Sequence, residues 1–141
     1  RGRRVKPFSV HILAADHAFF EGECTSLILP TVDGQYGVLA GHSNAIGAVV
    51  PGTLTCRTAA GETLYAAVSA GLVKVEDGEV LVLVDAAERP EEIDKNRAER
   101  AAAAAKEALL QKRSIREYRL AEANLARAIN RLRVKSRSAN N

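Results

Sequence analysis

At Arg89-Pro90 the sequence changes its period, and that change limits what the chain can fold into. Before it, apolar residues alternate with polar ones. Phe8, Val10 and Ile12 are spaced by Ser9 and His11, and Val73 and Val75 by Lys74, the period-2 pattern of half-buried strands. The run Glu79-Val80-Leu81-Val82-Leu83-Val84 meets Val73–Glu76 across Asp77-Gly78, a pair that accepts the positive φ angles of a tight hairpin turn. Asp33-Gly34 and Ala60-Gly61 mark further turns, and Pro51, Gly52 and Gly71 interrupt other runs. Short strands at regular spacing, with no helical period between them, predict an antiparallel β-sandwich or flattened barrel.

After the change the chain reads as helix. Pro90 suits a first helical turn, and Glu91 and Glu92 follow where carboxylates complement the helix dipole. Residues 94–112 are rich in Ala, Glu, Lys, Arg and Leu, all strong helix formers. Ala98, Ala101, Ala105 and Ala108 fall on one stripe with Leu109 beside it. Ser114-Ile115-Arg116-Glu117 is a capping-box pattern that restarts a helix, and Tyr118, Ala121, Leu125, Ala128, Ile129 and Leu132 then recur at steps of three and four. The expected class is α+β: a sandwich in residues 1–88 followed by an αα-hairpin in residues 89–141. An alanine stripe buries little apolar area, at roughly 25 cal/mol per Å², so the hairpin should be weakly docked. The polar end, residues 135–141, reads as frayed.

Charge divides at nearly the same place. The net charge of +3 hides an acidic body, with ten acidic and two basic residues in 7–88, and a basic tail, with nine basic and two acidic in 112–141. No apolar run approaches the roughly 20 residues of a membrane-spanning helix. The opening Arg1-Gly2-Arg3-Arg4-Val5-Lys6 has no apolar stretch behind it and reads as neither a secretory signal nor a transit peptide. Cys24 and Cys56 lie in apolar strand-like runs and read as two buried thiols in a reducing compartment, not as a disulfide.

Catalytic signatures fail on inspection. Gly41-His42-Ser43-Asn44-Ala45 approaches a nucleophile elbow but ends in Ala45, and no histidine follows Ser43 to complete that order of triad. Neither common phosphate-cradling loop occurs, and His11, His17 and His42 lack the spacing of a zinc site. Glu21/Glu23 and Asp77/Glu79 sit beside turns, as solvated carboxylates do. No catalytic residue and no metal ligand is expected. The arginines of the second helix suit nucleic-acid phosphates, an acidic protein surface or solvent, and charge alone does not choose among them. Few aromatics and an acidic sandwich weigh against nucleic acid, so a small nucleic-acid-binding module stands as the second reading.

Four strings, in order, carry a resemblance. Gly37-Val38-Leu39-Ala40-Gly41-His42 is similar to a G-I-L-P-G-H loop, with Ala40 where Pro is usual. Val68-Ser69-Ala70-Gly71-Leu72-Val73-Lys74-Val75 is similar to V-S-G-G-F-x-x-V, Ile93-Asp94-Lys95-Asn96-Arg97-Ala98 to I-D-x-x-R-A, and Arg127-Ala128-Ile129-Asn130-Arg131-Leu132 to R-A-x-x-R-L. Over roughly residues 5–134 the chain resembles the epsilon subunits of bacterial F-type ATP synthases.

The resemblance implies a sandwich of about ten strands that binds the gamma subunit and sits on the ring of c subunits. It implies a non-catalytic rotor part on the cytoplasmic face of the cell membrane, reaching the membrane only through the complex. There it would couple proton flow to ATP synthesis on the alpha and beta subunits. Gln35, Tyr36 and His42 become the candidates for the c-ring contact, although many relatives carry a carboxylate at the position of Gln35. The hairpin would either fold on the sandwich or extend along gamma and block hydrolysis, with Arg127, Arg131 and Arg133 meeting the catalytic subunits. No obligatory cofactor is implied. Regulatory ATP, bound by some relatives, would fall on Glu88, Ile93, Asp94, Arg97, Ala98, Arg127 and Arg131, with Ala104 and Leu120 standing where those relatives have basic residues.

Overall fold

The computed structural model describes residues 5–111 and 114–139, the last two as backbone. The basic opening residues 1–4, residues Lys112 and Arg113, and residues 140–141 lie outside the described residues. The chain divides into two compact units, Arg1–Glu88 and Arg89–Asn141.

Among its described residues the first unit has nine strands: β1 (Phe8–Ala14), β2 (Ala18–Thr31), β3 (Gly34–Val38), β4 (Ala45–Val49), β5 (Gly52–Thr58), β6 (Thr63–Val68), β7 (Gly71–Glu76), β8 (Glu79–Val84) and β9 (Ala87–Glu88). Their order is β4-β7-β8-β1-β2-β5-β6-β9, with β3 added on β2. The fourteen-residue β2 ties the unit together. It pairs with β1 along its first half and with β3 and β5 along its second. All pairings are antiparallel except one, because β1 lies parallel to β8, with Val10 opposite Val80 and Ile12 opposite Val82.

The alternation read from the sequence sorts the faces. Phe8, Val10 and Ile12 of β1, Val73 and Val75 of β7, and Val80, Val82 and Val84 of β8 all enter one core, closed from the other side by Leu27, Leu29, Leu54 and Cys56. Asp77 and Gly78 both have positive φ, 51° and 81°, as a two-residue turn requires to match the twist of its strands. Cys24 and Cys56 are buried free thiols on neighbouring strands. They hydrogen-bond to each other. That bond, with burial, pushes the Cys56 thiol above the ordinary range, so it stays protonated within the core.

The second unit opens with a one-turn 3-10 helix, Pro90–Glu92, in which the Arg89 N–H donates to Glu92 Oε1 at 2.7 Å. The helical period does not run on from Pro90. Ile93 is extended (φ −88°, ψ 121°), which lets its side chain be buried, and Asp94 then starts α1 (Lys95–Leu110) by accepting from the Arg97 N–H at 3.1 Å. Ser114 starts α2 (Ile115–Ala139): its Oγ accepts from the Glu117 N–H at 3.3 Å. The helix continues through the polar residues expected to fray. Along α1 the buried residues are Ala98, Ala102 and Ala105, while Ala101 is exposed. Steps of four and three keep 98, 102 and 105 on one seam, and Ala101 falls to its flank. Lys135 Nζ donates to the Pro90 carbonyl at 3.0 Å and ties the far end of α2 to the opening turn.

Candidate functional site

On the sandwich unit, β3 and the loop after it hold the three residues expected at a partner contact. Gln35 and Tyr36 are successive residues of a strand and so face opposite ways: Gln35 is exposed, and Tyr36 is half-buried against the core. Tyr36 and His42 come together. Their rings meet edge to face with centroids 5.3 Å apart, and Tyr36 Oη lies 2.9 Å from His42 Nε2. His42 Nδ1–H donates to the Ser43 carbonyl at 2.9 Å, so in the neutral ring Nε2 is the acceptor and the tyrosine hydroxyl the donor. The intervening turn is closed by the His42 N–H on the Leu39 carbonyl at 3.2 Å, with Gly41 at φ +81°.

A second surface was not foreseen. On the outward side of β4, β7 and β8, Ile46, Leu72 and Leu83 are 75%, 54% and 43% exposed, and Leu72 stands directly opposite Leu83. Beside them Lys74 neighbours Ile46 and pairs with Glu76 at 3.0 Å. Strands β7 and β8 carry apolar residues on both faces, a signal that was present in the run Val80–Val84. Leu72 and Leu83 thus form an exposed cross-strand aliphatic pair, with Ile46 on the adjoining strand.

On the hairpin unit, α1 and α2 leave an open groove of about 470 Å³, floored by Ala104, Ala105, Leu120 and Ala121 and flanked by Arg127 and Arg131. This is within the range of small-ligand sites. The expected nucleotide residues divide. Arg127 and Arg131 line the groove, whereas Arg97 is exposed one turn before Ala101 and is not among the residues that line it. Ile93 and Ala98 are buried, leaving only their backbone to a ligand, and the Asp94 carboxylate is engaged in its cap. Glu88 ends the sandwich unit in β9. Arg127 donates to Asn124 Oδ1. Arg133 is exposed and does not line the groove. Among the described residues no cluster of three potential ligands is placed to hold a metal, and no helix is long and apolar enough to cross a membrane.

Residues 7–90 match the family described as the beta-sandwich domain of the ATP synthase delta/epsilon chain, and residues 91–136 its long alpha-helix domain. The chain is 41% identical over 128 residues to the ATP synthase epsilon chain of Ruminococcus albus, covering 90% of this chain and 95% of that one. It belongs to the ATP synthase epsilon-chain family. The epsilon chain of Clostridium novyi is similar at 42% identity over 127 residues, covering 90% of this chain and 96% of that one. The fold is shared with a chain in a Euglena gracilis mitochondrial ATP synthase structure containing OSCP, F1 and the c-ring, at TM-score 0.81 and 22% identity, covering 99% of this chain and 85% of that chain. An epsilon chain is a non-catalytic subunit of the synthase, and nothing in these likenesses supports a nucleic-acid-binding module.

Proposed function

We propose that this epsilon chain is a central-stalk rotor subunit of a bacterial F-type ATP synthase, held on the cytoplasmic face of the cell membrane through the complex alone. Its sandwich binds the gamma subunit and rests on the c ring, so that it turns with the rotor and couples proton flow to ATP synthesis on the alpha and beta subunits. The observation that carries this reading is the outward aliphatic face of Ile46, Leu72 and Leu83 on a unit with its own complete core. We assign gamma to that face and the c ring to the loop of Gln35, Tyr36 and His42. Fully burying an exposed side chain of this size contributes about 1.5–3 kcal/mol, and since these three are 43–75% exposed each supplies roughly half of that to a contact. Residues 1–88 alone should therefore fold and retain gamma in a pull-down, and Leu72→Lys should abolish retention without unfolding the sandwich. Loss of folding in residues 1–88, or full retention by Leu72→Lys, would refute this part.

The hairpin unit restrains hydrolysis, and ATP bound in its groove favours the compact hairpin. Guanidinium forks suit a polyphosphate: Arg127 and Arg131 line the groove, and Arg97 stands one helical turn beyond Ala101 at its end. Ala104 and Leu120 floor the same groove, so two charges available to ATP-binding relatives are missing and affinity should be weak. Millimolar ATP should raise amide-exchange protection in α1 and α2, because a ligand stabilises the state it selects. Arg97→Ala should remove that gain and Arg133→Ala should not. Unchanged protection at millimolar ATP leaves Asp94 and Arg97 with helix-start roles only.

A further inference from the structure

We propose that Tyr36 and His42 are a positioning pair: a clamp that pins the turn between them so that Leu39 is presented to the c ring as a fixed apolar anchor. The inference rests on the reading that this loop meets the c ring.

Tyr36 and His42 spend their polar atoms on the protein itself. Tyr36 Oη–H donates to His42 Nε2 at 2.9 Å, and His42 Nδ1–H donates to the Ser43 carbonyl at 2.9 Å. The imidazole has no remaining ring nitrogen for a partner, and the Tyr36 ring is half-buried, packed edge-on to His42 at 5.3 Å. What they enclose is a four-residue turn closed by the His42 N–H on the Leu39 carbonyl, with Gly41 in the left-handed region where a side chain would be strained. Ala40 packs against the core and fixes the other side of the turn. The residue left facing outward is Leu39, 59% exposed at the head of the turn. An aliphatic side chain on a turn pinned from three sides loses little freedom on binding, which is how a preorganised anchor gains affinity. Gln35, on the adjoining strand, supplies an exposed polar group beside it.

The clamp has a spectroscopic signature. Its hydrogen bonds require the Nδ1–H tautomer of His42. Nitrogen-15 spectra of the histidine rings in the full chain should show that tautomer in the native protein and its loss in Tyr36→Phe, which removes only the hydroxyl. Amide exchange at residues 39–44 should rise about tenfold in Tyr36→Phe, the worth of one hydrogen bond, and stay unchanged in Leu39→Ser. Retention on purified c ring should fall about tenfold in both variants. An Nε2–H tautomer in the native protein, or unchanged exchange in Tyr36→Phe, overturns the clamp. Full c-ring retention by Leu39→Ser overturns the anchor, provided that replacing residues 39–43 by glycine and serine does reduce retention. If that loop replacement also retains full affinity, the c-ring reading of the loop itself is at fault, and the tautomer and exchange results still decide the clamp.

Discussion

Gly71→Ala should cost the sandwich about 3 kcal/mol or more, enough to bring a domain of ordinary stability close to unfolding. Gly71 opens β7 between Val49 on β4 and Val84 on β8. A β-carbon there would lie 1.9 Å from the Leu83 carbonyl oxygen and 2.8 Å from the Val84 α-carbon. Both are backbone atoms at the open end of the β7–β8 ladder, so relief requires the two strands to part there rather than a side chain to rotate. That hairpin places Val73 and Val75 opposite Val82 and Val80, two and four pairs in from Gly71, and a separation that spreads inward exposes these core valines. Gly37→Ala is the matched control, because its added carbon meets nothing within 4 Å. Urea unfolding at constant slope measures both. A loss below about 1 kcal/mol for Gly71→Ala would mean that the two strands approach less closely than described.

The position of Gly71 illustrates what the sequence does and does not make legible. A glycine ahead of an alternating strand reads only as an interruption; the carbonyl it must clear belongs to Leu83, a dozen residues away. Local signals are legible where the physics is local. The Asp77-Gly78 turn, the Ser114 cap and the inward side of Phe8, Val10 and Ile12 each depend on neighbours within four residues. Long-range choices leave no such trace. Period-2 alternation is the same for parallel and antiparallel partners, so the parallel register of Val10 with Val80 is invisible in either strand alone. The helix seam was displaced from Ala101 to Ala102 because a run of five alanines offers no apolar contrast from which to choose a face. Ile93 broke the helix one turn after Pro90 because burial of its side chain outweighed a continuous ladder.

The candidate sites show the same division. The resemblance assigns Tyr36 and His42 to one contact, yet their hydrogen bond to each other depends on a turn with a positive-φ glycine that a spacing of six does not reveal. Arg127 and Arg131, four apart on α2, share a helix face as the period requires, and that face lines the groove. Asp94 carries a cap hydrogen bond to the Arg97 N–H, so its carboxylate already has a structural duty before any ligand is considered.

Deleting residues 89–141, or replacing Arg127, Arg131 and Arg133 together by alanine, should raise ATP hydrolysis by the assembled synthase while leaving assembly intact. The second helix and its flanks carry nine basic residues against two acidic ones, and Arg127 and Arg133 are exposed. The first helix meets the second along Ala98, Ala102 and Ala105, a seam that buries little area and should part at small cost. Whether the hairpin extends is then set by the difference between its two sets of partners, and about 1.4 kcal/mol shifts the ratio tenfold. Exposed ion pairs contribute roughly 0.2–1 kcal/mol each, so removing three should relieve inhibition by roughly threefold to a hundredfold, and one alone by little. Arg133 separates this role from nucleotide binding, since it lies off the groove that Arg127 and Arg131 line. Arg133→Ala should weaken the brake slightly while leaving any ATP-dependent protection untouched, and raised salt should partly mimic the triple substitution. Hydrolysis that stays unchanged on deletion of the whole hairpin would show that it bears no restraint, and would leave the sandwich as the functional part of the chain.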